Sequence, residues 1–242
     1  MKKIATFFLF VLPFYQSFSQ SKTLTAAGFL QKMYNKYHGK WHNNLFFTQL
    51  TEQYKNDSLV KSDLWYEHIL YPETQRIDID SPKSGNGFIQ IKDSLYIFSM
   101  NKLVRTIKND DGVIFLLGGL YFMPFDNVLA RFKSLNYDLG KFHVDTWKGK
   151  DVYVIGANSN DERVNQLWID KERMLVLRFI KYHGGTKEDV SFEDQIKLKG
   201  GWSETKCVVY INEHLIQVEI YHNLVADGPV DKNMYDPAMI GK

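Results

Sequence analysis

The sequence predicts a mainly β chain of the α+β class: an antiparallel sheet curled over its own core, with two helices to cover it. Three observations carry this. Aromatic residues make up 15% of the 242 residues, with 14 Tyr and 17 Phe, a bias that favours strands over helices. From Asn44 onward apolar residues recur with period two, in short runs parted by Asp, Asn, Gly, Ser and Pro. Several runs, above all VNQLWIDKERMLVLRFIKY over 164–182, are apolar on both faces, so both faces need cover.

The chain opens MKKIATFFLFVLPFYQSFSQ, where Lys2 and Lys3 precede an apolar stretch from Ile4 to Tyr15 and small residues follow at Ser17 and Ser19. Charge, apolar run and small residues in that order predict a cleavable export signal over 1–20 and a mature periplasmic protein over 21–242, read as one domain. The run is shorter than the roughly 20 apolar residues of a membrane span, and Pro13 interrupts it. Cys207 is the lone cysteine and lies far from that junction, so no internal disulfide forms and no lipid attaches there; it reads as a small buried hydrophobe.

The first helix is predicted over 25–37, where Leu30, Met33, Tyr34 and Tyr37 share a face, Thr25 caps and Gly39 stops. Strand runs follow as NLFFTQLTEQY, SDLWYEHILY, TQRIDID, GFIQIK, SLYIFSM and KLVRTIK. Turn chemistry between them, such as SPKSGNG and KNDDG, makes pairing of consecutive strands the simplest topology. In RIDID, Ile77 and Ile79 point one way and Arg76, Asp78 and Asp80 the other, which predicts a solvated second face.

The period then breaks at VIFLLGGLYFMPFDNVLARFKSL. A second helix is predicted over 124–135, with Pro124 in its first turn and Phe125, Val128, Leu129 and Phe132 as its apolar stripe. Gly118 and Gly119 each weaken a helix by about 1 kcal/mol and predict a flexible joint before it. Strands resume in KFHVDTWKGKDVYVIGA, run through the 164–182 hairpin, and end with EDVSFEDQIKL, TKCVVYIN and HLIQVEIYHNL. No internal repeat, linker or low-complexity tract divides the chain. Two helices cover one side of part of a sheet of about eleven strands, leaving a concave apolar surface that side chains, a helix or an apolar ligand would fill.

At this point the residues carry a resemblance. QLWIDKERMLVLRFI, preceded by WKGKDVYVIGA and followed by VEIYHNLVADGPVDKNMYDP, resembles the outer-membrane lipoprotein-sorting proteins, the LolA-like superfamily, in the form found in Bacteroidetes. The resemblance runs from about residue 25 to the end. It implies a half-open antiparallel β-barrel of about eleven strands, with lid or plug helices over an apolar cavity that takes up acyl chains. It implies that Leu116, Leu120, Phe122 and Met123 belong to the lid, and that Trp168, Leu177 and Phe179 lie by the cavity. Asp170 and Arg178 would hold the hairpin. Carriers, outer-membrane acceptors, stress-sensor regulators and lipid binders share this scaffold, so the fold alone does not choose among them.

The chemistry of the sequence argues against most other classes. The formal net charge of +2, without a dense Lys/Arg block, gives no footprint for nucleic acid. No Gly-x-Ser-x-Gly elbow, P-loop, Rossmann glycine pattern or His-Glu-x-x-His occurs, so neither enzyme nor cofactor is expected. His38 and His42 are four apart, a spacing that binds metal on one helix face, but Gly39 breaks the helix between them and a solvated helix end is expected instead. His143 and Asp145 share a strand face without a nucleophile nearby in sequence. The expected function is a monomeric, non-catalytic binder of lipid or lipidated protein, served by a membrane-anchored donor or acceptor. An envelope-stress regulator or protein-interaction domain on the same scaffold is the alternative, and a domain filled by its own side chains is a third.

Overall fold

The computed structural model describes residues 24–161 and 163–240. The export signal expected over 1–20 lies outside them. Helix α1 (Ala26–Tyr37) begins as its sequence dictates: the Thr25 side chain accepts the Gly28 N–H at 3.1 Å, and Phe29, Leu30, Met33, Tyr34 and Tyr37 are buried on one stripe. Six strands follow: β1 (Asn44–Lys55), β2 (Ser58–Leu70), β3 (Thr74–Ile79), β4 (Gly87–Ile91), β5 (Ser94–Ser99) and β6 (Lys102–Lys108). After α2 (Val113–Leu116), a 3₁₀ turn (Gly119–Phe122) and α3 (Phe125–Ser134) come β7 (Phe142–Trp147), β8 (Lys150–Ile155), β9 (Gln166–Asp170), β10 (Val176–His183) and β11 (Thr186–Glu193). The chain ends with the short pair β12 (Ile196–Lys197) and β13 (Trp202–Ser203), then β14 (Lys206–Ile211), β15 (His214–Ala226) and two 3₁₀ turns, Lys232–Tyr235 and Pro237–Met239.

Thirteen strands form one antiparallel sheet in the order β6-β5-β4-β3-β2-β1-β15-β14-β11-β10-β9-β8-β7, and β12 pairs with β13 apart from it. The expectation of about eleven strands is thus corrected upward, while nearly all sequence neighbours do pair. The joint between the two halves is β1 with β15, the first strand with the last, paired from Leu45 with Ala226 to Gln53 with Gln217. Strands β6 and β7 are the free edges of the sheet, and the helical segment between them in sequence packs on its inner face, so the sheet curls without closing.

The helices crowd one half of that face. Phe29 of α1 meets Tyr153 of β8 at 4.4 Å between rings, and Lys36 and Tyr37 bond the Arg173 carbonyl at 3.1 and 2.6 Å. Beneath them Ile155, Leu167, Ile169, Leu175 and Val176 form a closed core with Phe115 and Phe132. Over β1–β5 the described helices leave space, and the inner face there borders a cavity.

Two irregularities overturn simple alternation. A bulge between Val176 and Arg178 puts Val176 and Phe179 into the inner core and Leu177 into a cluster on the opposite face with Val152, Val154 and Ala157. That outer face has no helix. Its cover is local: Trp147 and Trp168 pack on the cluster, and Arg178 lies over the Trp168 ring at 4.9 Å while gripping Asp189. The outer face of β3 is covered as well, against the expectation of a solvated surface. Asp78 is buried, accepting from Arg76 Nε and Nη2 at 2.7 Å each, and Arg76 Nη1 donates to the Met234 carbonyl of the C-terminal segment at 2.7 Å.

Gly118 and Gly119 are packing sites rather than a loose joint. A Cβ on Gly118 would strike the Trp41 indole and the Tyr71 ring, and one on Gly119 would strike the Pro72 carbonyl.

Candidate functional site

The cavity, about 290 Å³, lies between the inner face of β1–β5, β11, β14 and β15 and the α2 region. Its apolar wall comes from alternate residues of adjacent strands: Phe47, Trp65, Ile69, Ile77 and Phe88 on the β1–β4 side, Phe179, Val190 and Phe192 on the other. Registers explain the grouping. Phe47 faces Glu67, Glu67 faces Ile77 and Ile77 faces Phe88, so one row of side chains crosses four strands on the inner face. Val113, Ile114 and Leu117 of the α2 region close it from above.

The middle of the inner face breaks the apolar rule. On β2 the alternation Trp65, Glu67, Ile69 carries a carboxyl inward among apolar neighbours. On β15 the pattern is inverted: Val218 points outward to a surface groove with Glu52 and Val208, while Glu219 and Tyr221 point into the cavity. Gln49 and Thr51 of β1, both fully buried, lie between, with Gln49 paired to Trp65 on one side and Tyr221 on the other. Glu204, from the loop before β14, completes the band.

These groups are partnered unequally. Glu67 accepts from Gln75 at 2.8 Å, and Glu219 accepts from Tyr221 at 2.8 Å and from Gln217. Among the described residues no other donates to the Glu204 carboxyl, which accepts from its own backbone. Burial pushes Glu67 well above the usual carboxylate range, helped by Glu219 and opposed by the Gln75 amide. Burial likewise raises Glu219, against its hydrogen bonds, and carries Glu204 to about 7. The Cys207 thiol beside them is pushed up by the same burial, which leaves it inert as a nucleophile at neutral pH. Among the described residues, no group of His, Cys, Asp and Glu is arranged to hold a metal.

The residues singled out in the sequence fall in several places. Phe179 lines the cavity. Leu116 and Leu120 are buried in the helical core and do not line the cavity, though Leu116 stands between Ile114 and Leu117, which do; Leu116 borders a small neighbouring pocket with Trp41 and Trp202. Phe122 stacks on Tyr71 at 5.6 Å, and the Met123 carbonyl accepts from Tyr34 at 2.8 Å. Trp168 and Leu177 stand in the outer cluster, away from the cavity. Asp170 holds the β9–β10 turn by accepting from the Glu172 and Arg173 backbones at 3.0 and 2.6 Å and pairing with the Arg173 side chain.

The histidines also find places. His38 bonds the Tyr121 carbonyl at 2.7 Å, whereas His42 is fully buried and burial lowers it to about 4; it is no solvated helix end. His143 lies 3.8 Å from Asp145 beside an edge of the sheet, with its other ring nitrogen on the Ala157 carbonyl. Sequence reasoning missed Glu67, Glu204 and Glu219. The available signal was an acid between apolar residues of one strand face, at Trp65–Glu67–Ile69.

No protein-family model matches the chain, and no curated protein matches it. Solved structures share its architecture. A DUF1329 family protein from Desulfovibrio piger superposes with a TM-score of 0.62 at 15% identity, over 89% of this chain and 97% of that one. A domain from Vibrio parahaemolyticus described as an outer membrane lipoprotein-sorting protein domain gives 0.61 at 11% identity, over 89% and 98%. A LolA superfamily protein from Nitrosomonas europaea gives 0.53 at 15% identity, over 88% and 97%. The chain has a LolA-like fold. Among its described residues no helix is long and apolar enough to cross a membrane.

Proposed function

We propose that this protein is exported to the periplasm and binds the acyl part of a lipid or lipidated protein in the cavity over β1–β5, without catalysing a reaction. The observation that carries the reading is the cavity itself: about 290 Å³ of space walled by Phe47, Trp65, Ile69, Phe88 and Phe192 in a LolA-like half-open sheet. Each methylene moved from water into such a wall gains about 0.8 kcal/mol, so a single alkyl chain supplies enough to bind. Release into water would forfeit that gain, so the cargo leaves to a membrane or to a partner that offers equal cover.

Titration of the purified mature chain with decanol tests this. One molecule bound per chain is expected, and Val190→Trp, which projects an indole from β11 into the cavity, should weaken uptake at least tenfold with the fold retained by circular dichroism. Uptake unchanged in that variant would place the binding elsewhere and remove the proposal.

A further inference from the structure

The polar band at the cavity's centre demands an explanation that an acyl pocket does not give. Among the described residues, five acidic side chains line the cavity, Glu67, Asp111, Glu188, Glu204 and Glu219, and no Lys, Arg or His does. Three of them lie deep. Glu67 is 5% and Glu204 8% exposed, and none of Glu67, Glu204 and Glu219 pairs with a cation among the described residues. A buried carboxyl without a countercharge costs stability, and a sheet face could carry valine or leucine there instead. One of the three points to something missing: the Glu204 carboxyl, 8% exposed and bordering the cavity, receives no hydrogen bond from another described residue.

Resting on the acyl-binding reading, we propose that the band selects the head group: the cavity takes an amphiphile whose apolar chain lies along Phe47, Phe88 and Phe192 and whose primary ammonium sits among Glu67, Glu204 and Glu219. An ammonium carries three donors and no acceptor. It would supply the missing countercharge and donate to Glu67, Glu204 and Glu219, which border the cavity. The Trp65 and Tyr221 rings beside the site add faces that attract a cation. The carboxylate of a free fatty acid would find no countercharge there, so the same band disfavours it relative to an ammonium.

The groups facing the site from each packed element are Glu67 and Tyr71 from the β2 side, Cys207 from β14, Glu219 and Tyr221 from β15, and Glu204 from its loop; α2 offers only Val113, Ile114 and Leu117. Towards the rim, Lys181 bonds the Asp111 carbonyl and is set off by Glu188. Without a ligand the deep carboxyls hold protons because burial opposes their charge, so a bound ammonium displaces protons and its affinity rises with pH.

The test is a titration series with decylammonium, decanol and decanoate at pH 6 and pH 8, on the wild type and on Glu67→Gln with Glu204→Gln. Decylammonium stays charged throughout that range, like a lysine side chain. It should bind at least tenfold tighter than decanol at pH 8, with that preference shrinking at pH 6 and vanishing in the double variant. Circular dichroism and thermal unfolding report that the variant's fold survives, and the quantity compared between the two proteins is the ratio of decylammonium to decanol affinity. Equal binding of decylammonium and decanol, or a preference for decanoate, overturns the head-group assignment while leaving the acyl cavity intact. Failure of all three to bind overturns the acyl cavity itself, and this inference with it.

Discussion

Glu204 shows how a single residue sets the energetics of the site. Its carboxyl rises from an ordinary 4.5 to about 7 because it is buried, with Glu219 adding to the effect. Between those values the folded chain holds a proton that the unfolded chain has released, so stability falls as pH rises through the window. Glu67 and Glu219 are shifted in the same direction and act with the same sign. Glu204→Gln should therefore flatten the decline in stability between pH 5 and pH 8, gaining on the order of 3 kcal/mol relative to wild type across it. Urea melts at both pH values measure this, and a variant that tracks the wild type at both would show that Glu204 is ionised in the native state. Asp170 behaves oppositely. Burial pushes it up, but hydrogen bonds from the Arg173 backbone and side chain outweigh that and hold it low. Its contribution is present at neutral pH and is lost as pH falls through its native value. A strand pattern cannot announce such residues, because Glu67 and Glu219 come together only once β1 pairs with β15, more than a hundred residues away.

Single elements were well marked in the sequence. Helix α1 was legible from its Thr25 cap and 3.6-residue stripe, and each long strand from its period of two and the turn residues at its ends. What alternation could not supply was the bulge at Val176–Arg178, which parts Leu177 from Phe179, because a bulge leaves no mark in a run of apolar residues. The Gly118–Gly119 pair illustrates the converse. Glycines read as a flexible joint prove to be points of close approach, with Trp41, Tyr71 and Pro72 against them. Gly119→Ala should destabilise the chain by about 1–3 kcal/mol, since the Pro72 carbonyl is backbone and cannot swing aside. Thermal unfolding checks it, and a neutral substitution would restore the joint.

The whole molecule follows from where its cover runs out. Two halves of a sheet meet at β1 and β15, the helices fill the half over β7–β10, and the other half borders a cavity. Apolar content on both strand faces foretold that cover was needed. It did not foretell that the outer face would be covered by Trp147, Trp168 and the C-terminal segment rather than by a helix, since those contacts join residues distant in sequence. The acidic band was likewise hidden until β15 was seen to turn its polar face inward. The most direct test of the account is mass spectrometry of organic extracts from the protein purified without detergent from the periplasmic fraction of cells that make it. An acyl-bearing species in one-to-one ratio with the chain is the predicted result. A chain that carries no such molecule and takes none up from added lipid vesicles would contradict it.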